Sequence, residues 1–364
     1  MKKTLSKKNL IINFFVVIFL SALSVYYLTK TDVLSAKSFS LISVFDILLV
    51  MLYFLVGMFL ISLVEFLIYR TFTDKMPLNR CFYNSLLGNL GSNVTPFKVA
   101  HFPLKFYVQH SFGVPFKDTM TGVVKCQVIH SSTSIIVYST VVSLLASTKQ
   151  EIIVSGNVFP LFLIISLGLL FHVGAFILII ILSFCSGFQK WALKVVSRII
   201  KKFKKSFNDD EFILEKELEL KLFREQIIII AKKFHRYILP MLLYAFYMFF
   251  SEGAIYISYL LLTSSPFILS EFITFYLLTL ASYYISNFVP VPGGAGTTEV
   301  VFSMLFIGLM KESVIGSVII LWRISTYYLI VILEVVLLCF LPVFKKSNRL
   351  KNAKFSDFVS DKLC

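Results

Sequence analysis

Long apolar runs separated by short polar stretches dominate the chain. They recur at roughly Leu10–Leu28, Val44–Tyr69, Met120–Leu145, Val158–Phe184, Ile238–Leu262, Pro266–Val289 and Ser313–Leu341. A bilayer span needs about 20 such residues, so each run predicts a transmembrane helix. Two further apolar stretches are too short to span. Thr298–Met310 predicts a half-length helix, and counting it as a crossing brings the total to about eight. Phe82–Val94 is stopped by Thr95-Pro96 and followed by Lys98, His101, Lys105 and His110. Charges of one sign on both flanks suit a re-entrant hairpin that enters and leaves the membrane on the same side.

Composition narrows the class. The chain is 57% hydrophobic with only 15% charged residues, and its mean hydropathy is +0.84. The expected fold is an all-α, polytopic integral membrane protein. The first 24 residues, "MKKTLSKKNLIINFFVVIFLSALS", have the basic and apolar regions of a signal peptide. The many spans that follow favour an uncleaved first helix. Cys81, Cys126, Cys185, Cys339 and Cys364 show no metal-ligand spacing and read as small apolar groups in or beside spans.

Charge sets the orientation. Basic residues cluster before the first span, between Arg70 and Lys117, from Lys190 to Arg236, and after Leu341; Lys30, Lys37, Lys149 and Lys311 fall in the alternate loops. The positive-inside rule then puts both termini in the cytoplasm of a multi-pass cell-membrane protein. Residues 1–343 form the membrane domain, with a cytoplasmic insert at about 186–236, and residues 344–364 form a short basic tail. Within the insert, Trp191, Leu193, Val196, Ile199, Ile200 and Phe203 alternate at helical spacing with Lys190, Lys194, Arg198, Lys201, Lys202, Lys204 and Lys205. Such a basic amphipathic helix suits an anionic inner-leaflet surface, although ordinary juxtamembrane charge produces a similar pattern.

The candidate site lies at two breaks in the apolar pattern. In "NFVPVPGGAGTTEV", Pro290 and Pro292 end one helix and Gly293, Gly294 and Gly296 permit positive φ. Thr297 or Thr298 can cap the short helix that follows. Irregular backbone at membrane depth is tolerated where it is packed in protein or lines a polar cavity. Paired Gly/Pro breaks in two halves of a chain mark transporter binding sites, and the N–H groups opening a half-helix suit an anion such as phosphate. A tight hairpin between packed helices is the alternative. The glycines do not make a nucleotide fingerprint: the third glycine, a preceding strand and a GK[ST] ending are all missing. No cofactor, metal or nucleic-acid site is expected.

Ionisable residues inside spans need a partner or a role. They are Glu65, Lys125, His130, Glu252, Glu299, Arg323 and Glu334. Glu299 and Arg323 are equidistant in sequence from Lys311, the expected turn between the last two helices. Both therefore lie about 18 Å from it at one depth. They should pair, or share Arg323 with an anionic ligand. Gln127 and His130 share a helix face near the Thr95-Pro96 break, and His130 reads as a hydrogen bonder between helices. Lys125, beside them in sequence, is a candidate phosphate contact. Glu65 and Glu334 fall near helix ends, within expected reach of water.

The segments "NFVPVPGGAGTTEVVFSMLFIGL" and "LWRISTYYLIVILEVV" resemble the C-terminal signature of the lysylphosphatidylglycerol synthase transmembrane region family. "GNLGSNVTPFKVAHFPLKFYVQHSFGV" is similar to that family's first signature. Thr95, Pro96 and Pro103 match the first; Pro292, Gly293, Gly294, Gly296, Glu299 and Arg323 match the second. Where relatives carry glycines after the Thr-Pro-Phe run, this chain has Ala100-His101. The resemblance implies flippase-like movement of an anionic or aminoacylated phospholipid, or of a lipid-linked precursor, between leaflets. It also raises phosphatidylglycerol lysyltransferase activity, or an accessory role beside such an enzyme or in a homo-oligomer. In two-domain relatives a separate soluble domain performs lysyl transfer, so this chain is not expected to be an enzyme on its own. The candidate lipid-binding residues are Thr95, Pro96, His101, Lys125, Pro292, Gly293, Gly294, Gly296, Thr297, Glu299 and Arg323.

Overall fold

A computed structural model describes residues 39–95, 98–148, 151–154, 157–203, 208–286, 291–307 and 309–340. The first expected span, Pro96, Pro290 and the 344–364 tail lie outside the described residues.

The described chain is helical from α1 to α12, with one small β-ladder. Helix α1 (Val44–Tyr69) has the bounds of its apolar run. It starts at a capping box: Ser43 Oγ accepts from the Asp46 N–H, and Asp46 Oδ2 accepts from the Ser43 N–H. The half-hairpin comes next, as α2 (Leu78–Asn93) and α3 (His101–Ser111) packed on each other. Gly91 permits this: a Cβ there would stand 2.5 Å from the Ala100 carbonyl oxygen. Helix α4 (Phe116–Thr148) is 33 residues long.

Strands β1 (Glu151–Val154) and β2 (Asn157–Pro160) pair antiparallel ahead of α5 (Leu161–Phe184). The apolar run expected to be helical from Val158 thus begins as strand, and its helix starts only after Pro160, whose fixed φ suits a helix entrance. The insert folds as α6 (Ser186–Phe203) and α7 (Asp209–Lys232). Then come α8 (Ile238–Thr263), α9 (Leu269–Ser286), the short α10 (Thr297–Phe306), α11 (Glu312–Arg323), a π-helical turn (Ile324–Tyr328) and α12 (Leu329–Phe340).

Among the described residues, Val44–Tyr69, Ile238–Thr263 and Ser313–Cys339 are long and apolar enough to cross a membrane singly. The last runs through α11, the π turn and α12. Val173–Phe184 and Ser186–Arg198 meet that standard together but bend by 111°. Although α4 is long enough, it carries a polar stripe, Gln127, His130, Ser131 and Ser134, turned toward an internal cavity.

One cluster of buried side chains reaches all three single spans. Helices α1 and α8 lie along each other. Buried aromatics from α8, α9 and α10 (Tyr256, Phe275, Tyr276, Phe302, Phe306) meet Trp322 of α11 in a single cluster, with Phe302 stacked on Phe306 at 4.2 Å. This packing matters more than helix association by exclusion from water, since lipid tails are as apolar as the side chains they would release.

Candidate functional site

The two sequence breaks meet in space. After α9, Pro292–Gly294 forms a 3-10 turn in which Gly293 has φ 60°, Gly294 φ 64° and, just beyond, Gly296 φ 85°. A Cβ on Gly293 would fall 2.7 Å from the carbonyl oxygen of Asn93, the last residue of α2. Tyr327, in the π turn, donates to that same carbonyl at 3.2 Å. A π turn shifts the helix register by one residue and commonly marks functional positions. Here it follows directly on Arg323.

Around this junction lies a cavity of about 570 Å³. Its wall takes Asn89, Asn93, Thr95, Lys98, His101 and Lys105 from the first hairpin and its connection. Helix α4 adds Gln127, His130 and Tyr138, α8 adds Tyr244, Tyr247 and Glu252, and α9 adds Tyr283 and Ser286. The second break adds Gly293, Gly294 and Thr298, and α11 with its π turn adds Arg323 and Tyr327. A polar chamber therefore stands where both irregular backbone segments come together.

Glu299 and Arg323 pair as their depth implied. Arg323 Nε donates to Glu299 Oε1 at 2.8 Å, and both side chains are buried. The carboxylate is satisfied further: Oε2 accepts from the Gly296 N–H at 2.8 Å and Oε1 from Tyr328 at 3.4 Å. The guanidinium stacks over the Tyr327 ring at 4.2 Å. Its Nη2 has no hydrogen-bond partner among the described residues, and neither has Glu252 Oε2 nor His130 Nε2. Among the described residues, Arg323 and Glu252 thus each bring to the cavity lining a buried polar atom without a hydrogen-bond partner, one on the α11 side and one on α8.

The other candidates divide. Thr95 lines the cavity and also fastens the first turn, its Oγ1 donating to the Gly91 carbonyl at 2.6 Å and accepting from the Ala100 N–H at 3.0 Å. His101 Nδ1 sits 2.9 Å from both the Gly88 carbonyl and Ser92 Oγ, which ties the ring to α2. Thr297 closes the second turn by donating to the Gly294 carbonyl at 3.1 Å. Gly296 and Pro292 shape the backbone of that turn and Glu299 anchors it, all behind the cavity wall.

Three expectations are corrected. Lys125 does not reach the cavity: α4 turns about 100° per residue, so the stripe that carries Gln127 and His130 excludes it, and its Nζ lies 4.7 Å over the Phe72 ring. Lys98, held at φ 57° between α2 and α3, is a basic residue at the wall instead. Among the described residues His130 makes no hydrogen bond between helices; its ring stacks on Tyr244 of α8 at 4.2 Å. Glu65 and Glu334 do not reach water. Glu65 is buried and accepts from Lys105 Nζ at 2.5 Å and from Asn84 at 2.8 Å. Asn84 accepts from Gln109 at 3.4 Å, and Gln109 from Tyr69 at 2.9 Å, closing a polar network through α1, α2 and α3. Glu334, equally buried, accepts from Asn89 at 2.9 Å.

Glu252 carries a signal that sequence reasoning found but gave no role, a lone acid within an apolar run. Lys98, Asn93, Tyr283 and Tyr327 carried none beyond ordinary polarity.

An all-α membrane protein with a polar chamber between two broken helical hairpins is the class that fold and site define. More particularly, the chain belongs to the lysylphosphatidylglycerol synthase transmembrane region family, whose family model matches residues 10–333. It is accordingly a membrane protein of a lipid-related family. No curated protein matches it significantly.

Proposed function

We propose that the cavity receives the polar head group of a phospholipid and that the protein moves that lipid between leaflets of the cell membrane. The observation that carries this reading is Arg323 Nη2, which has no hydrogen-bond partner among the described residues, with Glu252 Oε2 likewise unpartnered on another side of the same cavity at the meeting of the two backbone breaks. A guanidinium with a free N–H suits a phosphate oxygen. A carboxylate with a free oxygen suits an ammonium group. A head group bearing both charges, such as that of an aminoacylated phospholipid, satisfies both walls, while its acyl chains remain in lipid.

The Lys and Arg distribution supports an orientation with both termini and the α6–α7 arm in the cytoplasm. The test is head-group accessibility in proteoliposomes carrying fluorescent phosphatidylglycerol or its lysyl derivative in one leaflet. Protein-dependent, lipid-selective movement that Arg323→Ala abolishes is the expected result; movement indifferent to the substitution removes the assignment of this site. Adding lysyl-tRNA and phosphatidylglycerol to the same vesicles separates a lysyl-transfer activity, which would appear as newly made lysyl-lipid.

A further inference from the structure

Helix α6 begins one residue after α5 ends, and the two segments Val173–Phe184 and Ser186–Arg198 are bent by 111°. If α5 runs near the membrane normal, α6 leaves its end close to the membrane plane. Its residues sort into three sectors. Leu193 and Ser197 are buried, at 8% and 4% exposure, facing the protein, where α6 packs on α5 and α7. Lys190, Lys194, Arg198 and Lys201 follow one another at intervals of four, four and three, which is a single exposed line along a helix. Phe188, Trp191 and Val196 form a third, apolar sector and are 38%, 60% and 42% exposed, with Phe188 stacked on Trp191 at 5.5 Å.

The first sector is covered by the protein. The other two stand open side by side, an apolar strip with an aromatic pair flanked by a row of cations. Of that row, Lys201 is engaged with Asp209 of α7 at 2.7 Å, while Lys190, Lys194 and Arg198 make no ion pair among the described residues. An aqueous protein surface has no use for the exposed Trp191, and a hydrocarbon interior would not take the three cations. A membrane interface accepts both, with rings at the head-group boundary and long basic side chains reaching the phosphates.

We infer that α6 docks on an anionic phospholipid leaflet, seating Phe188, Trp191 and Val196 at the acyl boundary and setting Lys190, Lys194 and Arg198 against lipid phosphates. This surface is separate from the head-group cavity and does not depend on its function. Juxtamembrane cations near an anionic leaflet each add attraction that falls off within a Debye length, so the preference should be for net negative lipid and should weaken with salt.

The chain has two tryptophans, Trp191 and the buried Trp322, so the Trp191 signal is the difference between wild type and Trp191→Phe. The full chain would be placed in phosphatidylcholine nanodiscs containing either acyl-brominated phosphatidylglycerol or acyl-brominated phosphatidylcholine in equal proportion. The expected result is quenching of Trp191 about twofold or more stronger by the anionic brominated lipid. That preference should vanish in Lys190→Gln/Lys194→Gln/Arg198→Gln, whose altered side chains are exposed and whose folding the Trp322 emission reports. Equal quenching by the two lipids would overturn the anionic preference. No quenching by either would overturn membrane docking altogether and assign the face to a protein partner.

Discussion

Arg323 Nε and Glu299 Oε1 stand 2.8 Å apart, joining the end of α11, just ahead of the π turn, to the half-helix α10 that follows the second break. Because both groups are buried, the consequences of removing either are unequal to those of removing both. Glu299→Gln or Arg323→Ala alone leaves an uncompensated buried charge or orphaned donors, which costs about 3–5 kcal/mol. Arg323→Met with Glu299→Leu removes both charges and should recover much of that loss. Thermal unfolding in lipid nanodiscs would show it as a double variant more stable than either single one. The recovered double variant should still fail to move lipid, because the open Nη2 is gone. A double variant as active as wild type would reduce the pair to a structural role.

Gly293 and Asn93 give a second prediction. Gly293 has φ 60°, and a Cβ there would crowd the Asn93 carbonyl and Tyr327. Gly293→Ala should therefore destabilise by about 1–3 kcal/mol from backbone strain, and separation of the two breaks should lower transport more than stability. Tyr327→Phe removes only the hydrogen bond to Asn93, worth about 1 kcal/mol. A graded loss of transport, largest for Gly293→Ala and smaller for Tyr327→Phe, is the expected outcome. Full transport in Gly293→Ala would mean that the junction need not be tight.

The Glu65–Lys105 pair is a structural latch between α1 and the first hairpin. Lys105→Met strands the carboxylate and should cost about 3–5 kcal/mol; with Glu65→Leu added, much of that cost should disappear. Protease sensitivity around residues 98–101 is the readout, since release of α3 from α1 would expose that connection. Unchanged sensitivity in Lys105→Met would show that helix packing alone holds the hairpin.

These three sites show what was legible in the sequence. The α1 span was readable to its last residue because an apolar run bounded by polar residues leaves little choice under a bilayer. Glu299 and Arg323 could be matched because a helix rises a fixed distance per residue from a shared turn. The position of Lys125 is not legible there, because nearness to a break in sequence says nothing about rotation around the helix axis. Lys105 looks like flanking charge in the sequence, since its partner depends on how α3 folds back on α2, a long-range arrangement that no periodicity encodes. Glu65 and Glu334 look water-accessible by depth, and only tertiary packing shows them sealed.

Glu252 tests the chemistry of the head group itself. Its Oε2 has no hydrogen-bond partner among the described residues, and the basic residues lining the same cavity are Lys98, Lys105 and Arg323. Lys105 is committed to Glu65 and Arg323 Nε to Glu299. Glu252→Gln keeps the side chain's size and polarity and removes its charge. If the carboxylate meets a head-group ammonium, loss of that charge-assisted bond should slow lysyl-phosphatidylglycerol movement by about tenfold, equivalent to about 1.4 kcal/mol. Phosphatidylglycerol, which has phosphate but no ammonium, should be affected far less. The two lipids compared in one vesicle preparation, with Arg323→Ala as the control that should affect both, would separate the two walls. Equal slowing of both lipids by Glu252→Gln would place the carboxylate in cavity shape, and no slowing of either would remove it from the head-group site.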